Sequence, residues 1–177
     1  YYEDLLDQCV QALSHISIPF YLYISIRDYG ADTGEHIRDI REKCRPISHM
    51  QSVEIRATSN RGRDIAPMYV LFGTELSTYK YVYHMHSKKS VYTGEEQQNW
   101  RQYAVAALIG SGEQVERLLS LLESEPEIGL VYPENHQGFP PEAYGWLSNE
   151  AKGHEFLDSI GIPFSGGIFL YPAGSFF

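Results

Sequence analysis

Cysteine is scarce. Cys9 and Cys44 are the two in 177 residues, and they stand in no paired motif. Two isolated cysteines exclude a disulfide framework and any Cys-x-x-Cys zinc or redox centre. Reduced, cytosolic thiols are therefore expected. Long hydrophobic runs are missing too. The longest apolar-rich stretch, Ile18 to Ile26, contains Pro19 and Ser25. It falls well short of the ~18–20 residues that a membrane span needs. No basic segment followed by an apolar one reads as a signal peptide. Positive charge is short, with a net charge of −9. General nucleic-acid binding rests on neutralising many phosphates, so no nucleic-acid partner is expected. The Walker pattern, G-x-G-x-x-G, the nucleophile elbow, His-Glu-x-x-His and a Cys/His nucleophile pattern are all absent. There is no repeat, low-complexity tract or linker.

What is present suits a folded domain. Hydrophobic residues make up 43% and charged residues 21%, which argues for a real core and against wholesale disorder. The length fits one domain over residues 1–177. The abrupt ends, Tyr1-Tyr2-Glu3-Asp4 and Gly174-Ser175-Phe176-Phe177, read as cuts from a longer chain, with the C-terminal side truncated. Charge is uneven. Between Arg56 and Arg101 seven basic residues face four acids, a net of +3, whereas Gln102 to Phe177 carries two basics and ten acids, a net of −8. A basic middle in an acidic chain suits one small anion in a local pocket.

The elements alternate. Tyr2 to His15 has helical apolar spacing at Leu5, Leu6, Cys9, Val10 and Leu13. Phe20 to Ile26 reads as a buried strand. Asp32 or Thr33 offers an N-cap for a helix through about Cys44, which Pro46 stops. Ser52 to Thr58 alternates as a strand. The loop Ser59 to Asp64 leads into a helix from about Ile65 to Leu76, with Pro67 in its first turn. Tyr79 to His84 is a short predicted strand, and Lys88 to Gly94 a loop. Helices near Glu95–Ile109 and Glu113–Glu123 follow. Further strands are predicted at Ile128–Tyr132 and Ile168–Tyr171, with a broken helical stretch from Pro140 to Ile160 between them. This order predicts an α/β fold, a mainly parallel sheet flanked by helices. Ligands of such sheets bind outside the strands' carboxyl ends. That rule selects Asp28–Gly34, Ser59–Pro67 and His84–Gly94.

The densest candidate is Asn60-Arg61-Gly62-Arg63-Asp64-Ile65-Ala66-Pro67. Gly62 permits a tight turn or close approach. The following helix start supplies N–H groups and partial positive charge, and two arginines could grip phosphate bidentately. The bland alternative is a solvated turn with surface arginines and Asp64 as a helix cap. The second candidate is His84-Met85-His86-Ser87-Lys88-Lys89. Two histidines two apart share one strand face and could ligate a metal, but no third ligand lies nearby. Packed or substrate-facing histidines, and solvated lysines, are the alternatives. Trp100 suits the core, with a ligand platform as the alternative, and Arg101 is a third candidate cation for the same pocket. Glu134 and Asp64 are the candidate general bases, with a solvent-facing Glu134 and a capping Asp64 as alternatives. Tyr79, Tyr81 and Tyr83 alternate on one strand face. They suit plain packing or a sugar site.

Taken in order, Asn60–Pro67, Tyr81–Ser90, Trp100-Arg101, Ile128–Pro133 and Tyr171–Phe177 resemble the rhamnan synthesis protein F family, associated with bacterial rhamnose-containing surface polysaccharides. The resemblance spans nearly the whole chain. It implies a glycosyltransferase of the GT-A, Rossmann-like type. It implies a dTDP-β-L-rhamnose donor and inverting transfer to a growing glycan or lipid-linked glycan, beside other domains of a longer chain. The nucleotide-sugar site would then comprise Asn60, Arg61, Gly62, Arg63, Asp64, His84, His86, Lys88, Lys89, Trp100 and Arg101. Ordinary GT-A enzymes end the equivalent strand in Asp-x-Asp, which holds a divalent metal on the donor diphosphate. Here His84-Met85-His86-Ser87-Lys88-Lys89 stands instead. No metal cofactor is expected, with Mg²⁺ or Mn²⁺ as the alternative, and Lys88, Lys89, Arg61 or Arg63 would supply the charge. A non-catalytic carbohydrate- or nucleotide-binding domain is the second reading. A metal-dependent hydrolase using His84 and His86 is the third. The expected location is cytoplasmic, at the inner membrane face where lipid-linked glycans are handled, although no basic amphipathic helix marks it.

Overall fold

The structure is a computed structural model, and it describes residues 5–59, 61–86, 95–134, 145–163 and 176–177. Helix α1, Leu6–Leu13, buries Leu6, Ala12 and Leu13, as its spacing predicts. Strand β1, Phe20–Arg27, follows. A 3₁₀ turn, Gly30–Asp32, leads into α2, Thr33–Cys44. Arg41 and Lys43 sit in the last turn of α2, where cations complement the helix dipole. Strand β2, Met50–Thr58, returns parallel to β1. The register runs from Phe20 opposite Met50 to Arg27 opposite Thr58, with one irregularity between Phe20 and Tyr21. Helix α3 is Ile65–Leu76, α4 is Glu95–Ile109 and α5 is Gly112–Ser124. The Ser111 hydroxyl caps α5 by accepting the Gln114 N–H at 3.2 Å. A second 3₁₀ turn, Leu147–Asn149, precedes α6, Glu150–Ser159.

The described residues thus form a mixed α/β fold of six α-helices and one parallel two-stranded sheet. Ile26 and Ile55, from the two strands, meet Leu13, Ile40, Cys44, Leu108 and Phe176 in one core. Ile40 and Cys44 are 1% and 0% exposed. Burying an isoleucine of that kind contributes roughly 1.5–3 kcal/mol, so these two residues fix α2 against the sheet. None of the helices among the described residues is long and apolar enough to cross a membrane.

Among the described residues two of the predicted strands form no strand ladder. Tyr79–His84 and Ile128–Tyr132 are connections outside the sheet. Side chains hold the first of them. The Tyr79 hydroxyl lies 2.8 Å from that of Tyr23, while Lys80 Nζ and the Tyr81 hydroxyl both donate to Glu123, at 2.6 and 2.7 Å. At its far end His84 and Phe177 exchange both backbone hydrogen bonds, N–H to O distances of 2.7 and 3.3 Å. That is the bonding of a single antiparallel pair. The parallel sheet of the prediction is therefore two strands wide among the described residues. The predicted strand at 168–171 lies outside the described residues, as does the start of the stretch from Pro140. The remainder of that stretch is helical at Leu147–Asn149 and in α6.

Candidate functional site: the loops beyond the parallel strands

The loop after β2 turns sharply. Arg61 N–H donates to the Ser59 carbonyl at 2.7 Å, and Ala66 N–H to the Gly62 carbonyl at 3.2 Å. Gly62 and Arg63 both take left-handed backbone angles, φ 74° and 55°. A Cβ on Gly62 would fall 2.2 Å from the Ala66 Cβ, so only glycine fits. Arg63 holds the same region at a steric cost, the kind of local strain that gathers at functional sites. Arg61 and Arg63 are exposed, which leaves both guanidiniums open to an anion. Asn60 lies outside the described residues.

Asp64 occupies the position of a helix cap without acting as one. Its φ of −93° and ψ of −40° are already helical, and its side chain makes no capping bond to α3. A capping residue needs an extended backbone to swing its oxygen back over the first N–H groups. The Asp64 Oδ2 is instead buried with no hydrogen-bond partner, a costly state for a carboxylate oxygen. The capping alternative is thereby corrected.

The loop after β1 lies alongside. Asp28 N–H donates to the Thr58 carbonyl at 2.9 Å, which ties the two strand ends together. Asp28 Oδ1 accepts from Gly30 N–H and from the Thr33 hydroxyl, both at 2.9 Å. The same hydroxyl oxygen accepts the Tyr29 N–H at 2.8 Å. The Gly30 N–H first, and then the Thr33 hydroxyl, hold the Asp28 carboxyl below its ordinary pKa. The Arg27 guanidinium lies 4.3 Å from the centre of the Tyr29 ring, which stacks on His36 at 3.9 Å. Sequence reasoning selected this segment but assigned no residue in it. The Asp28-Tyr29-Gly30 stretch carries the signal, since an Asx-type turn accepts the backbone N–H two residues on.

The other sequence candidates divide. His84 is buried and stacks on Phe177 at 5.2 Å, and His86 meets Phe176 at 4.8 Å. Trp100 packs edge-on to Phe176 at 5.7 Å, the core role weighed for it. Arg101 is 8% exposed and turns toward α1, its Nη2 lying 3.5 Å from Gln8 Oε1. It lines a separate cavity of about 320 Å³ with Cys9 and Met85, away from Arg61 and Arg63. Arg101 opposes the rise of the Cys9 thiol pKa, yet burial dominates and pushes it up to about 11. Glu134 is exposed. Lys88 and Lys89 lie outside the described residues. Among the described residues no cluster of three or more His, Cys, Asp or Glu side chains could hold a metal ion.

A cavity of about 1490 Å³ joins the parts that do converge. It runs past β1 and the Tyr79–His86 segment and reaches Arg27, Tyr29, Ser59, Gly62, Arg63 and Asp64. His84 and His86 also line it, whereas Arg61 and Arg101 do not.

A parallel β-α-β unit, with the Arg61-Gly62-Arg63 turn at the carboxyl end of β2, defines a mixed α/β domain. The chain belongs to the rhamnan synthesis protein F family, whose sequence model matches residues 1–177. The family's name ties it to rhamnan synthesis. The chain is also similar to the uncharacterized protein WxcX of Xanthomonas campestris pv. campestris strain B100, 28% identical over 137 residues. The WxcX protein of strain ATCC 33913 shows the same identity over the same length. Each match covers 77% of this chain and 18% of the relative, so the chain spans less than a fifth of their length. No solved structure matches.

Proposed function

We propose that this chain is a GT-A-type glycosyltransferase domain that transfers L-rhamnose, with inversion, from dTDP-rhamnose to a growing bacterial surface polysaccharide at the cytoplasmic face of the membrane. Family membership supports the polysaccharide context. The observation that carries the donor site is the Gly62-Arg63 turn, a left-handed pair that lifts two exposed arginines to the carboxyl end of β2. A departing nucleoside diphosphate gains negative charge as the glycosidic bond breaks, and preorganised cations stabilise it. Arginine suits this work because its planar fork meets phosphate oxygens bidentately. Lys88 and Lys89 add point charge from the sequence beyond His86.

The GT-A type implies a divalent metal on the donor diphosphate. Magnesium and manganese take oxygen ligands. The described donor set at the end of the Tyr79–His86 segment is two imidazoles packed on phenylalanines. That set does not fit Mg²⁺ or Mn²⁺. Among the described lining residues Asp64 is the carboxylate for the acceptor hydroxyl proton.

The test is the slow release of free rhamnose from dTDP-L-rhamnose, with and without EDTA. Release that persists in EDTA and falls on the double substitution of Lys88→Ala and Lys89→Ala fits the reading. Release that requires Mg²⁺ or Mn²⁺ contradicts it. The replacement of Asp-x-Asp by His84-Met85-His86 favours one second reading, a sugar- or nucleotide-binding domain without turnover. Donor binding with no release on any timescale would select it.

A further inference from the structure

Among the described residues two buried side-chain oxygens have no hydrogen-bond partner, the Asp64 Oδ2 and the Tyr83 hydroxyl. Both residues line the cavity of about 1490 Å³. Each orphaned group costs free energy unless something supplies its partner. One is a carboxylate acceptor. The other is a phenol whose ionisation burial opposes, so it stays a donor at neutral pH. Six tyrosines, Tyr21, Tyr23, Tyr29, Tyr79, Tyr81 and Tyr83, face the same space. Among the described lining residues the charged ones are confined. Arg27, Arg63 and Asp64 belong to the loop end, and Lys80 is held by Glu123 at 2.6 Å. The stretch between is aromatic and aliphatic. It suits a neutral ligand with apolar faces and hydroxyl edges, and not a diphosphate. Its volume exceeds the roughly 300–1,000 Å³ of a site for one drug-sized ligand.

We propose that this cavity is a saccharide site of more than one ring, in which Asp64 Oδ2 accepts from one sugar hydroxyl, the Tyr83 hydroxyl bonds another, and tyrosine rings cover the sugars' apolar faces. The inference rests on the sugar-transfer reading and deepens it, because a neutral glycan chain is the class to which an acceptor belongs. The nucleotide then stays at the arginine loop, and the sugar chain lies inside.

The experiment is saturation-transfer NMR of the chain with an L-rhamnose disaccharide, alongside a calorimetric titration with dTDP. The wild type binds the disaccharide. Asp64→Asn weakens it roughly tenfold and Tyr83→Phe by a smaller factor, in line with hydrogen bonds to charged and to neutral partners. Neither Tyr83→Phe nor the disaccharide changes dTDP affinity. Circular dichroism checks the fold of each variant, and Tyr83→Phe carries the test should Asp64→Asn unfold. Absence of disaccharide binding to the wild type, or binding that neither variant alters, overturns the inference. Disaccharide binding without dTDP binding overturns the donor-site reading alone.

Discussion

Gly62 and Ala66 are packed so tightly that a Cβ on the glycine would lie 2.2 Å from the alanine Cβ. The loop after β2 and the first turn of α3 are thus one rigid piece. Gly62→Ala forces either the left-handed backbone or the helix start to move. The backbone term is roughly 1–2 kcal/mol, and the overlap adds roughly 1–3 kcal/mol. Denaturant unfolding should show a loss of that size, together with loss of nucleotide binding. An unchanged midpoint would mean that the turn is loose.

Arg63 separates stability from binding. Its φ of 55° disfavours most side chains, whereas asparagine tolerates that region better. Arg63→Asn is expected to keep or raise the unfolding midpoint and to lower dTDP affinity by about tenfold or more, the scale of a lost charge-assisted hydrogen bond. Thermal unfolding and calorimetry on the same sample read both effects. A variant that loses stability and keeps affinity would contradict the assignment.

Asp28 makes the β1 loop sensitive to acid. Its folded pKa lies below the unfolded value, through Gly30 N–H and then the Thr33 hydroxyl. Such a group contributes stability above its unfolded pKa and loses it as pH falls through the folded one. Carbon-13 NMR titration of the carboxyl should place its midpoint below the ordinary aspartate range. Asp28→Ala should abolish that acid-side titration and weaken the turn at neutral pH.

Cys9 and Cys44 should resist alkylation in the folded protein. Burial raises both thiols, Cys9 to about 11, and the thiolate is the reactive form. Iodoacetamide at pH 8 should label neither until denaturant is added. Rapid labelling of Cys9 in the native state would show that Arg101 outweighs burial.

Local sequence signals match the elements whose bounds are set locally. Helices α3 and α4 start and stop where periodicity, Pro67 and the flanking turns place them, and β1 and β2 fall within two residues of their predicted bounds. Tyr79–His84 alternates like a strand, but pairing is a long-range fact, and here Tyr23, Glu123 and Phe177 hold the segment instead. Arg101 carried a readable signal that charge obscured. It stands three and seven residues before Ala104 and Leu108, both buried, so it shares their face of α4. Asp64 sits where a cap belongs, and only its backbone angles reveal that it does not cap.

The central claim is a donor site that uses protein cations at the Arg61-Gly62-Arg63 loop in place of a metal. Calorimetric titration with dTDP-rhamnose, dTDP, UDP-glucose and GDP-mannose, each with and without EDTA, tests it most directly. The account predicts binding of the two dTDP species over the others, undiminished by EDTA and weakened by Arg63→Asn. Binding that EDTA abolishes, or no nucleotide binding at all, would contradict it.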